Sequence, residues 1–466
     1  MKRAQAESIS EIYKFTCPDP LMTCREVDEY YCDRVNSVRG SDLVARLSTN
    51  YLKCRNDGTF CKYFLTGHPG VGKSTEITRL ACRLEKELSF FRFSIRNELD
   101  QGSFQPFDIL LFAAMSIIER TALPKIDGGA GKRPDKSLLC RLQEWFDTEE
   151  RTFSESSSKS GEVGAGVGLG DDSLWKSLLG IFASTKGEMK YAHSRDTKRV
   201  EYRLKRLAPL VELVNSVMDE CNRLMRKECN KEWVIVGEDF EKIGDRVLIE
   251  SLFINNGAIL KDWRIHQLFT IPIQLICSSK EILLPYEWKN IPDIPVYTKE
   301  HKPHSNGRQS IENLLTRRID PGLFEEHQIE RLIVASGGNI RDLFDMARSS
   351  ADLAIQRDRS SEKIVSEDVD GAIREMRVKY LRRLGTSEYD EDTLTFEAKA
   401  AKLMAIYNCE PGSQIPDTAL HSLLRSKAVQ EFNGECWFGV HPLVVDILNS
   451  QGGFGSAASP LPGGTI

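Results

Sequence analysis

Residues Gly67 to Thr75 read GHPGVGKST, and this stretch restricts the fold of the 466-residue chain more tightly than any other. Gly67, Gly72, Lys73 and Ser74 occupy the fixed positions of G-x-x-x-x-G-K-[ST], with His68, Pro69, Gly70 and Val71 between them. Before the loop, Cys61 to Leu65 is an apolar run of strand length; after it, Ile77, Leu80, Ala81, Leu84 and Leu88 recur at helical spacing. A strand that passes through a glycine bend into a helix turns consecutive backbone N–H groups around an anion and adds the positive end of the helix dipole. The segment is therefore read as a nucleotide phosphate-binding loop, Lys73 reaching the β and γ phosphates and Ser74 ligating Mg2+.

The flanking pattern predicts an α/β fold, a parallel sheet with helices on both faces and ligands at the carboxyl ends of its strands. Ser89 to Ile95 is a second strand, and Phe107 to Leu123 a buried helix. Trp233 to Val236 is the continuous apolar strand of a sheet interior, and acids cluster where it ends. One carboxylate there should hold Mg2+ and a neighbour should orient or deprotonate the attacking water. Glu238 is the metal-side candidate and Asp239 the base-side candidate, with Glu241 a turn further on. Asp is more usual in the first of these positions, so Gly237-Glu238 departs from the pattern. Ile273 to Cys277 reads as a fourth strand, delivering Ser278 and Ser279 to the sheet edge to touch the γ-phosphate or to form an ordinary turn. Asp293 to Thr298 reads as a fifth.

The ten-residue, largely apolar run Ile109 to Ile118 is too short to span a bilayer, and the N-terminus lacks the apolar core of a signal peptide. Twelve scattered cysteines without a C-x-x-C pair read as reduced thiols, so a cytoplasmic protein with no membrane attachment is expected. A net charge of −5 supplies no basic field for nucleic acid.

Five regions follow. Residues 1–50 form a helical lead-in, in which Arg34 and Arg39 are either base contacts or solvated surface groups. Residues 51–304 form the core, with a flexible Gly- and Ser-rich insert at about 124–196. Residues 305–385 form a helical lid, in which Gly337-Gly338 end one helix and Asn339 caps the next, with Arg341 in its first turn. Residues 386–450 read helix, helix, hairpin, helix, with Asn433-Gly434 as the hairpin turn, the order of a winged helix. Four Lys or Arg against ten acids in that region disfavour DNA and favour a protein-contact or autoinhibitory module. Residues 451–466 are a disordered tail.

Taken together, GHPGVGKSTEITRL, EWVIVGEDFEKI, ASGGNIRDLF and FNGECWFGVHPLV resemble the bacterial AAA+ and STAND-like P-loop ATPases related to the origin-recognition ATPases, over about residues 30–450. The resemblance implies an αβα core, a helical lid and a winged-helix-like domain. It places Glu238 and Asp239 at Walker B and Arg341 at sensor 2, where it meets the γ-phosphate, and leaves Arg317 and Arg318 as candidates for an arginine acting across subunits. Such proteins switch between nucleotide states as homo-oligomers, and many serve in antiviral defence. The chain carries no second catalytic motif, so a separate effector protein is expected. A DNA-binding initiator or loader and a non-hydrolysing scaffold are the alternatives.

Overall fold

The computed structural model describes residues 4–100, 104–154, 171–191, 206–243, 245–385, 394–432 and 437–451. Five strands, β1 (Lys62–Thr66), β2 (Leu88–Ser94), β3 (Glu232–Glu238), β4 (His266–Thr270) and β5 (Glu287–Asn290), pair in parallel in the order β2-β3-β4-β1-β5. Successive side chains of a strand point to opposite faces. Phe64, Ile235 and Phe269 thus enter one core layer, while Leu65, Val234, Val236 and Leu268 enter the other.

Helices cover both layers, as parallel pairing requires. The helix before β1, α2 (Leu43–Asn56), and the helix after it, α3 (Lys73–Arg83), close one face. On the other, α4 (Pro106–Ala122) lies beneath α7 (Leu207–Cys229), with α5 (Lys136–Ser154) and α6 (Asp171–Tyr191) packed outside them. Because α4 meets neighbours on almost every side, its ten-residue apolar run is buried, and among the described residues no helix is long and apolar enough to cross a membrane. Pro209 falls in the first turn of α7, where no intrahelical N–H bond is lost.

The chain leaves the sheet into α8 (Ser305–Thr316), α9 (Gln328–Ala335), α10 (Ile340–Arg357) and α11 (Ser366–Arg383). It then forms α12 (Phe396–Tyr407), α13 (Thr418–Arg425), the antiparallel pair β6 (Val429–Phe432) and β7 (Trp437–Val440), and α14 (Pro442–Ser450). One hydrophobic cluster runs through all of these and takes in Ala6, Ile9 and Ile12 from the N-terminus. The Asn433-Gly434 turn, the glycine-rich run near 164–170 and the tail from 452 lie outside the described residues.

Three expectations are corrected. The fourth strand is His266–Thr270, not Ile273–Cys277: Pro272 ends the strand, and Ile273–Ile276 turns into a short helix. The fifth is the polar Glu287–Asn290 at the sheet edge. The apolar stretch from Asp293 is buried for another reason, because it carries the chain into α8 and bridges to Phe432. Finally, α1 (Cys24–Tyr30) lies along α3 and brings Cys24 to a Cα distance of 5.6 Å from Cys82, and the two form a disulfide rather than a pair of thiols.

Candidate functional site

At the carboxyl end of β1 the backbone bends through Gly70 (φ 96°) and Gly72 (φ 102°) into α3. A Cβ on Gly70 would stand 2.4 Å from Asn339 Oδ1 and 2.8 Å from Arg341 Cβ, so only glycine lets the loop and the start of α10 approach this closely. Side chains take the loop's carbonyls. Lys73 Nζ donates to Gly67 O (2.9 Å) and His68 O (3.2 Å), Asn339 Nδ2 to Pro69 O (3.1 Å), and Arg39 Nη2 to Val71 O (2.6 Å). Engaging those oxygens fixes the direction of the N–H groups on the opposite edges of the same peptide planes. Behind the loop, His68 Nδ1 lies 2.7 Å from Asp293 Oδ2. Burial opposes ionisation of Asp293, but His68, Lys427 and Asn339 together outweigh it and hold the carboxyl below its usual range.

A cavity of about 430 Å³ opens in front of the loop. Pro69 to Thr75 line it, together with Glu238, Asp239 and Arg341, whereas Gly67 and His68 form the wall behind. Glu238, the last residue of β3, accepts from Arg92 Nε (2.8 Å) and Nη2 (2.7 Å) on the adjacent β2. Asp239 adopts φ 70° and accepts from Ser94 Oγ (2.5 Å) and Lys242 Nζ (2.5 Å). Glu241 pairs with Lys73 Nζ (3.0 Å) and accepts from Thr270 Oγ1 (2.7 Å). For both Asp239 and Glu241 burial favours the neutral acid. Lys242 and Ser94 for the former, and Lys73 and Thr270 for the latter, reverse that and lower the pKa.

Ser278 is not in this cavity. The earlier end of β4 carries it away, and its hydroxyl donates to Leu275 O. Thr270 takes the strand-end position instead, and Pro272 was the sequence signal that locates it. Arg39 is not a solvated surface group: its side chain is 7 % exposed, beside Glu76 and under the loop, where it lines the cavity, whereas Arg34 is exposed. Arg317 and Arg318 turn into their own chain, donating to Tyr31 O and Tyr30 O. Sequence reasoning also missed Arg92 and Ser94 on β2, and the strap from Cys17 to Met22, whose Leu21 N–H donates to Thr75 Oγ1.

Among the described residues no group of three His, Cys, Asp or Glu could hold a metal unaided. A hydroxyl at Ser74 and a carboxylate at Glu238 on one cavity suit a cation that takes its other ligands from phosphate oxygens and water, as Mg2+ does.

No family model and no curated protein matches the chain. Solved structures similar to it include the Orc1 protein of Aeropyrum pernix in complex with DNA, with 14% identity, covering 89% of this chain and 80% of that one, at a TM-score of 0.36. Cdc6p of Pyrobaculum aerophilum has 12% identity over 94% of this chain and 98% of its own, with a TM-score of 0.35. A Walker-type ATPase of Pyrococcus abyssi has 11% identity over 93% and 99%, with a TM-score of 0.36.

Proposed function

We propose that the chain binds ATP with Mg2+, hydrolyses it, and uses the terminal phosphate as a switch that governs a separate effector protein. The supporting observation is that one cavity is walled by the glycine loop of the sheet core, by the acids after β3, and by Ile340, Arg341 and Phe344 of α10. A group held there touches core and lid together, so a ligand that favours one arrangement of the two shifts the population toward it.

Lys73 and the loop amides hold the phosphates, and Arg341 meets the terminal one from the lid. Ser74 and Glu238 hold Mg2+, which when bound neutralises charge on the β and γ phosphates. Asp239 orients or deprotonates the attacking water, with its own orientation set by Ser94 and Lys242. Operation as a cytoplasmic homo-oligomer, within bacterial antiviral defence, completes the reading.

Turnover by the purified chain should fall at least about 100-fold in Glu238→Gln or Asp239→Asn. No turnover in the parent would leave the non-hydrolysing scaffold. Purification with its genomic neighbours, with and without an ATP analogue, would identify the effector. A DNA-binding initiator would draw on Arg425 and Lys427, yet Lys427 is buried and its Nζ lies 2.7 Å from Asp342. Salt-sensitive DNA affinity would restore that alternative.

A further inference from the structure

Six cations line the cavity, and four of them meet carboxylates of the same chain: Lys73 with Glu241, Arg92 with Glu238, Lys242 with Asp239, and Arg39 with Glu76 at 3.7 Å. Arg318 and Arg341 enter no ion pair among the described residues. Arg341 already has a place beside the loop through its contact with Gly70. Arg318 does not, and it is the more deeply buried, with 8 % of its surface exposed.

Its surroundings differ from the phosphate end. The guanidinium lies between the rings of Tyr30 (5.0 Å) and Phe344 (5.1 Å). Its Nη1 donates to Tyr30 O (3.2 Å) and Leu314 O (3.4 Å). The lining drawn from the hydrophobic cluster of the lid and N-terminus is Cys32, Val35, Leu314, Ile340 and Phe344. Burial pushes the Arg318 pKa down to about 10, the mark of a cation short of compensating charge. Guanidinium is a donor-only fork that stacks on aromatic rings. Apolar walls with one such fork make a subsite for a flat ring with acceptor atoms on its edge, rather than for a second phosphate.

We propose that Arg318 reads the base of the bound nucleotide, donating to acceptor atoms on the edge of a purine seated against Leu314, Ile340 and Phe344. The proposal rests on the nucleotide-binding reading above and adds to it the residue that distinguishes a nucleotide from its phosphates. It also assigns Arg318 to its own chain's site rather than to a neighbouring subunit.

The test compares calorimetric affinities for Mg-ATP and for inorganic tripolyphosphate in the parent, Arg318→Ala and Arg318→Lys. Arg318→Ala should weaken ATP roughly 10- to 100-fold, the range of one lost hydrogen bond from a charged donor to a ring nitrogen, and leave tripolyphosphate unchanged. Arg318→Lys keeps the charge and stem but loses the fork, so it should also weaken ATP and spare tripolyphosphate, and it carries the test if the alanine variant fails to melt as a folded protein. Equal losses for both ligands, or no loss for ATP, would overturn the proposal. A parent that binds neither ligand would overturn the phosphate site itself.

Discussion

Replacing Glu241 by Gln should move stability and nucleotide affinity in opposite directions. Lys73 Nζ has three oxygen partners in the free protein: Glu241 Oε1 at 3.0 Å, Gly67 O at 2.9 Å and His68 O at 3.2 Å. Removing one partner of a buried ion pair costs about 3–5 kcal/mol. The two carbonyl bonds survive and the Gln amide oxygen is still an acceptor, which brings the expected loss to about 2–3 kcal/mol. In the nucleotide complex the phosphates take the ammonium, so Glu241 contributes little to it there. Around the thermodynamic cycle the loss in the free protein returns as affinity, and about 2 kcal/mol corresponds to roughly 30-fold tighter ATP binding. Urea unfolding of the nucleotide-free protein measures the first quantity and calorimetric titration with Mg-ATP the second. Equal or weaker ATP binding by Glu241→Gln would refute the idea that this carboxylate holds the lysine in place of phosphate.

Other perturbations separate the remaining parts. Thr270→Val removes the hydroxyl that donates to Glu241 and should lower the stability of the nucleotide-free protein by about 1–2 kcal/mol in urea unfolding, whereas Ser278→Ala, away from the cavity, should leave turnover within about twofold in a steady-state assay. Gly70→Ala places a Cβ against Asn339 at a positive φ, and should destabilise the protein by at least about 1–2 kcal/mol in urea unfolding and weaken ATP binding in calorimetry. His441, buried against Tyr380, is pushed down to about 4 by burial from an ordinary 6.5. Between those values the unfolded chain binds a proton that the folded chain refuses, so stability present above pH 6.5 declines toward pH 4 by about 3 kcal/mol. His441→Gln should lack that share of the decline when unfolding is followed across the same pH range.

Local signals carried the core of this chain well, and long-range ones did not. The glycine loop, the first three strands and α4 announce themselves because motif spacing and apolar continuity act over a few residues. The fourth strand slipped because apolar residues continue past its end, from Leu268 and Phe269 through Ile271 and Ile273 to Leu275 and Ile276, and only Pro272 marks where extension stops. The fifth was hidden by its edge position, since an edge strand such as Glu287–Asn290 has no need of apolar side chains. In the site, Glu238 and Asp239 were readable from their place after a buried strand. Arg92, Thr270 and the Glu241–Lys73 pair arise only when β2, β3 and β4 align, a register no local pattern encodes. Arg39 and Arg318 look alike in sequence to any surface arginine, and burial alone distinguishes them.

The most direct test of the central claim is calorimetric titration of the purified chain with Mg-ATP, set beside Lys73→Ala. Saturable one-to-one binding by the parent, lost in the variant, is the expected result. Absence of heat in the parent, or an unchanged isotherm in Lys73→Ala, would contradict a triphosphate held by the bend between β1 and α3.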